Sequence, residues 1–302
     1  MGKSKRKNAV EQERLEGGKP PKRWKKVIAI TLACIFVFFA ISAAILGIGV
    51  LHTRAAWEYW RPDYAKTDIA PLLNKATLTE EEYAEIYCQT GMTKLAVDDM
   101  RDTSEGRAKI LAAQDFMFSD YEIERVHFAP FTYKDELKDG VAVLADLQDG
   151  DILVTATTYV SWWRYGHSAL VIDGENAVML ECFGPGEKSS EKSAEKFAKL
   201  PNFMVLRPKV DSETKAEVVE YAKAKLLKLP YSFTVGIFSK KNQSNPKKTQ
   251  CAHLVWQAYK HFGVDLDSNG GKIVKPRDFV LSEKVDVVQA FGFDLNSLWG
   301  RL

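Results

Sequence analysis

A cysteine, a histidine and a carboxylate carry the most chemistry in this 302-residue chain. Cys251 follows a polar, proline-containing loop (Lys240–Lys248, KKNQSNPKK) and opens a predicted amphipathic helix, Gln250–Phe262. Leu254, Val255, Ala258 and Tyr259 form the apolar side of that helix. A thiolate at a helix N-terminus is stabilised by free N–H groups and the macrodipole, which turns an ordinary cysteine into a nucleophile. Such a nucleophile needs a base, and imidazole is the neutral side chain that titrates near physiological pH. His167 is the candidate, at the start of an apolar strand after the aromatic loop Trp162-Trp163-Arg164-Tyr165. Glu181 closes the next strand, a carboxylate in an apolar run that needs a partner. It is the candidate to hold the imidazole in one tautomer. Register decides whether the two meet. An odd-numbered hairpin loop, pairing Ile172 with Asn176, sets Glu181 opposite His167; a two-residue loop sets Cys182 there instead.

The remaining reactive side chains read as structural. His253 stands two residues after Cys251 and so points to a different side of the helix, and His127 is isolated. Cys182 is expected on the sheet face opposite Glu181, unpaired with Cys251 because a nucleophile must stay free. Four cysteines cannot form a dense disulfide framework, and no metal or cofactor site is expected. The match of Asn242-Gln243-Ser244 to a glycosylation acceptor is weak.

These residues must be positioned by strands and helices in alternation. After a turn at Leu147-Gln148-Asp149-Gly150, short apolar or β-branched runs at Ile152–Thr155, Ser168–Ile172, Ala177–Glu181 and Phe203–Arg207 read as strands. Asp211–Leu227 reads as an amphipathic helix carrying Val218, Val219, Ala222 and Leu226. Residues 52–145 read as helical. Thr79-Glu80-Glu81-Glu82 is a capping-box pattern, Gly91 is placed to end the helix it starts, and further helices are expected over Met92–Met100 and from Ser104. Tyr83, Tyr87, Phe116 and Phe118 there read as core.

The succession of Gly150-Asp151-Ile152-Leu153, Gly166–Ile172, Leu180-Glu181-Cys182, Leu229–Phe233, Gln250–Trp256 and Pro276–Ser282 resembles the circularly permuted papain-like hydrolases of the NlpC superfamily, YiiX-like branch. The resemblance covers roughly 147–288. It implies an α+β fold in which a small antiparallel sheet packs on the Cys helix. It also implies that Cys251 is nucleophile, His167 base and Glu181 orienting acid. Two elements depart from the family pattern: Cys251-Ala252-His253-Leu254 stands where Cys-Ser-Glu-Leu is usual, and Ser232 replaces Asp in Pro230-Tyr231-Ser232-Phe233. Trp162, Trp163, Tyr165 and Tyr231 are the candidates to line the substrate path.

The strongest single signal lies upstream. Val27–Leu51 holds 25 residues without a charge, and about 20 helical residues cross a bilayer core. The run is longer than a signal-peptide core and no clean A-x-A follows, so it reads as an uncleaved anchor. Residues 1–26 hold ten Lys/Arg against three Glu, a tail of +7 that leaves −5 on the rest of a chain of net charge +2. That bias predicts a cytoplasmic N-terminus with residues 52–302 outside; Trp24, Trp57, Tyr59 and Trp60 stand where interfacial aromatics belong. The mildly acidic body argues against nucleic acid as a partner. The 46% hydrophobic composition excludes wholesale disorder. Four segments follow: a basic tail (1–26), a transmembrane helix (27–51), a helical extracytoplasmic region (52–145) and a catalytic domain (146–302). The expected function is a membrane-anchored cysteine hydrolase cleaving an amide, in a bacterium that of cell-wall peptide. Lipid acyl transfer or thioester cleavage by the same triad, and a non-catalytic module binding wall or partner, are the alternatives.

Overall fold

A computed structural model describes residues 22–55, 59–129, 132–160 and 163–300. The basic tail up to residue 21, Trp57 and Trp162 lie outside them. The chain forms two units, Met1–Ala56 and Trp57–Leu302. The first contains α1 (Lys22–Ala55), whose Arg23–Ile48 stretch includes an 18-residue window of mean hydropathy 2.7 with no buried residues. It is long and apolar enough to cross a membrane, as an anchor or a signal sequence.

The second unit is α+β with antiparallel sheets. Four helices come first: α2 (Ala70–Leu73), α3 (Glu80–Thr90), α4 (Lys94–Met100) and α5 (Ser104–Met117). The Thr79 capping box forms, with Glu82 reaching back to the Thr79 N–H. Gly91 ends α3 at φ +70°, and a Cβ there would lie 1.8 Å from the Ala290 carbonyl oxygen, so only glycine fits.

The helical expectation fails beyond Met117. Residues Ile123–Ala129 (β1) and Thr132–Leu137 (β2) form a hairpin, because their β-branched and aromatic residues find a sheet to extend. The boundary expected at 146 also does not divide the core. Ile86, Val97 and Ile110 from the helices share one cluster with Leu153, Ala169 and Val205 from the later strands.

The following strands are β3 (Ile152–Thr155), β4 (Thr158–Val160), β5 (Trp163–Arg164), β6 (His167–Asp173), β7 (Val178–Glu181), β8 (Ser190–Ser193) and β9 (Phe203–Pro208). Helices α6 (Ser212–Tyr221), α7 (Cys251–His261) and α8 (Pro276–Val280) precede the last strand, β10 (Val285–Phe291). The central sheet runs β10-β9-β3-β6-β7-β8 and a second sheet runs β1-β2-β4-β5. Both faces of the central sheet are covered. Leu153, Ala169, Val171 and Met179 face the early helices, while Val154, Leu170, Ile172 and Leu180 pack with Leu254, Val255 and Ala258 of α7. Two covered faces explain why β3, β6 and β9 read as unbroken apolar runs rather than alternating ones.

A buried ion pair ties the early helices to this sheet. Arg207 on β9 donates from Nε to Asp151 Oδ1 and from Nη2 to Asp151 Oδ2, each at 2.9 Å, and from Nη1 to Asp99 of α4 at 2.6 Å. Removing one member of such a pair leaves a buried charge uncompensated. Asp151→Ala should therefore cost about 3 kcal/mol of unfolding free energy, read by urea titration of the detergent-solubilised chain.

Candidate active site

The chain leaves the central sheet after Thr155, makes the β4–β5 hairpin and returns at His167. Asn202 steadies the exit: its Oδ1 accepts from the Ala156 N–H at 2.9 Å and its carbonyl from the Thr155 hydroxyl at 2.8 Å. Gly166, at φ +78°, makes the return, and a Cβ there would lie 2.3 Å from the Thr155 carbonyl oxygen. His167 thus begins β6 at the rim of the sheet, opposite Thr155.

The β6–β7 hairpin takes a third register, different from both expected ones. Asp173 pairs with Val178 and, past an irregularity, Val171 with Met179 and Leu170 with Leu180. Continued, this register sets Glu181 across from Ala169 and Phe183 across from His167. His167 and Glu181 share a face as diagonal neighbours, a separation that a long side chain spans. Glu181 Oε2 lies 2.6 Å from His167 Nε2, and both side chains are buried. Phe183 packs edge-on against the imidazole at 4.8 Å between centroids, and Phe197 stacks on it at 6.0 Å. Neither phenylalanine was legible as a site residue, because the β6–β7 register brings Phe183 to the ring and the packing of the 194–199 turn brings Phe197.

Cys251 is the first residue of α7, and α7 lies on the opposite side of the sheet from Ala169 and Val171. Cys251 and His167 come near one another because each begins its element at the same rim, close enough for the thiol to bear on the charge of the imidazole. With Nε2 given to Glu181, Nδ1 is the nitrogen left for sulfur. Gln250 caps the helix: its Oε1 accepts from the Ala252 N–H at 2.9 Å and from the Cys251 thiol at 3.2 Å, and its Nε2 donates to the Val274 carbonyl at 2.8 Å. Glutamine is an uncommon cap, which is why sequence patterns missed it. The Cys251 N–H, ahead of the first intrahelical bond, has no acceptor among the described residues.

Burial alone would lower the His167 pKa. The interaction with the Cys251 thiol and the hydrogen bond and charge of Glu181 outweigh it and push His167 from 6.5 up to about 9. Burial would raise Glu181, but the His167 bond and charge, with Lys196 and Lys134 nearby, hold it below the usual carboxylate value. The site is therefore arranged as carboxylate, imidazolium and sulfur in sequence.

The other candidates fall in three places. Tyr165 and Tyr231 flank the thiol; burial pushes both hydroxyls up, and Cys251 adds to the shift. Phe233 bridges them, 4.8 Å from Tyr231 and 6.3 Å from Tyr165 between ring centroids. Trp163 stands exposed on β5, and Trp162 is outside the described residues. Cys182 is a free thiol in the α7-side cluster, and burial with Cys251 beside it pushes it up to about 12. His253 is a buried structural link, between the Thr249 hydroxyl at 2.9 Å and the Lys241 carbonyl at 2.8 Å; burial brings its pKa down to about 4. His127 is on exposed β1 beside Tyr133.

A cavity of about 260 Å³ opens on the Glu181 side, walled by Phe128, Phe183 and Phe197 with Lys134, Lys192 and Lys196. A larger one of about 810 Å³, along Val141–Leu147, contains none of the three residues. Among the described residues no three His, Cys, Asp or Glu side chains form a metal-holding group.

A histidine whose pKa is raised on folding stabilises the fold below its unfolded value and loses that contribution as pH rises through the folded one. The stability advantage of wild type over His167→Gln should therefore be full below pH 6.5 and shrink as pH passes about 9, measured by urea titrations across that range. No protein-family model, curated protein or solved structure matches this chain.

Proposed function

We propose that this protein is a cysteine hydrolase that forms an acyl-enzyme on Cys251, with His167 carrying the proton and Glu181 orienting His167. The observation that carries the reading is the 2.6 Å contact between His167 Nε2 and Glu181 Oε2, made by a ring whose charge also feels a helix-terminal cysteine. Nucleophile, base and orienting group in that order are what covalent acyl transfer requires. His167 takes the proton of Cys251 as the nucleophile forms. Sulfur attacks a carbonyl carbon, and the free Cys251 N–H is placed to donate to the developing oxyanion. His167 returns the proton to the leaving group as the carbon–nitrogen bond breaks. Water then attacks the thioester, one of its protons passing through His167 to sulfur. The His strand before the Cys helix fits the permuted papain-like arrangement.

The anchor reading of α1 completes the proposal. The enzyme is single-pass, with a cytoplasmic N-terminus and the second unit outside the cytoplasm, where cell-wall peptide supplies the amide. Lipid acyl transfer or thioester cleavage is the second reading, favoured by the exposed apolar side chains of Phe233 and Phe238 near the thiol.

Intact-mass analysis after exposure to a peptide amide or an acyl thioester should find the acyl adduct on Cys251, and the productive donor separates the two readings. Cys251→Ala should abolish turnover. His167→Ala should lower it by about 10²- to 10⁴-fold. Glu181→Gln should keep more activity than His167→Ala, since an amide still orients the ring. Iodoacetamide labelling of Cys251 near neutral pH should slow at least about tenfold in His167→Ala. Equal labelling rates would remove the catalytic reading and leave the binding module. A reporter fused after Leu302 should be active only outside the cytoplasm; cytoplasmic activity would reverse the topology.

A further inference from the structure

The surface beside Cys251 exposes apolar side chains on a rigid turn. Phe233 is 44% exposed, Ile237 45% and Phe238 83%. All three belong to the loop Phe233–Phe238, and the Phe233 ring meets those of Tyr165 and Tyr231. The loop is not slack chain. The N–H groups of Ile237 and Phe238 both donate to the Thr234 carbonyl at 3.0 Å. Val235 is buried beneath the turn, and Gly236, at φ +85°, sits so close to the Lys272 carbonyl that a Cβ would lie 1.7 Å from its oxygen. Lys248 Nζ donates to the Thr234 hydroxyl at 3.1 Å. Folding therefore buries the base of the turn and fixes Ile237 and Phe238 in solvent.

The charge carried by this segment itself has one sign. From Tyr231 to Thr249 there are four lysines, Lys240, Lys241, Lys247 and Lys248, and no Asp or Glu. Lys241 pairs with Asp267, whereas the exposed Lys240 and Lys247 have no ion-pair partner among the described residues. Lysine is depleted at protein–protein interfaces. An apolar tip with lysines beside it is instead the composition of an element that enters a bilayer interface and meets anionic headgroups. The same chain carries a helix long and apolar enough to cross a membrane, so a bilayer is a surface this loop can meet at high effective concentration.

We infer that Phe233–Phe238 is a membrane-docking element that enters the interface of a bilayer containing anionic lipid and holds the mouth of the Cys251 site at the headgroups. The inference rests on surface and charge and stands whether or not Cys251 is catalytic.

The test uses the full-length chain in nanodiscs of phosphatidylcholine, with or without phosphatidylglycerol. p-Benzoylphenylalanine is placed at Phe238 or, as a control on α6, at exposed Glu213. After photolysis, intact mass should show a one-phospholipid adduct at position 238, about fivefold above position 213. That adduct should increase with phosphatidylglycerol, and the increase should vanish in Lys240→Glu/Lys247→Glu. In the unsubstituted chain, hydrogen exchange of the 233–238 peptide should slow when phosphatidylglycerol is added. Equal adducts at the two positions, crosslinks from position 238 to a second copy of the chain, or exchange indifferent to the anionic lipid would each overturn the inference.

Discussion

A slip of one residue in the pairing of β6 with β7 would turn Glu181 to the α7 side of the sheet and present Cys182 to His167 in its place, because strand side chains alternate with a period of two. The irregularity between Val171 and Asp173 absorbs the hairpin turn and restores the parity that keeps His167, Met179 and Glu181 on one face. Burial of both faces holds that register: Leu170 and Leu180 fill the cluster under α7 while Val171 and Met179 fill the other. A slipped strand would exchange a carboxylate for a leucine in each. The ion pair at the site is thus maintained by apolar packing several residues away.

The encounter of Cys251 with His167 depends on a second constraint, that both start their elements at one rim. Further inside the sheet, a strand residue on the Ala169 side and the helix on the other side would be separated by the sheet itself. The rim is where Gly166 turns the chain back, Asn202 steadies the exit and Gln250 closes the first turn of α7. Most of these groups are far apart in the chain, so the site forms only when the central sheet has assembled. The early helices contribute through Arg207, which joins Asp99 to Asp151 and couples their docking to the alignment of β3. Leu153 and Val154 of that strand in turn pair with β6 beside His167.

Burial and exposure are divided unevenly around the thiol. Tyr165 and Tyr231 lie beside the buried Cys251, and burial of the imidazole opposes the upward shift that Cys251 and Glu181 give His167. A few residues along the chain, Phe238 stands in solvent on a turn held by its own backbone hydrogen bonds.

By itself the sequence determined the elements that rest on local rules. The 25 uncharged residues of Val27–Leu51 suffice for a helix of membrane-spanning length, the Thr79 capping box and Gly91 bound α3, and the polar loop before Cys251 places that thiol at a helix start. Residue chemistry also singled out Cys251, His167 and Glu181, since a carboxylate in an apolar strand and a thiol at a helix terminus are each conspicuous. Tertiary structure decided the rest. The β1–β2 hairpin forms where helices were expected because strand formation depends on a neighbour to pair with. The early helices share the core of the later strands because an apolar face carries no mark of its partner. The diagonal approach of Glu181 to His167, and the place of Phe183 beside the ring, follow from a register that no run of residues specifies alone. Backbone pairing is nearly indifferent to side-chain identity, and only the packing of both faces selects one alignment.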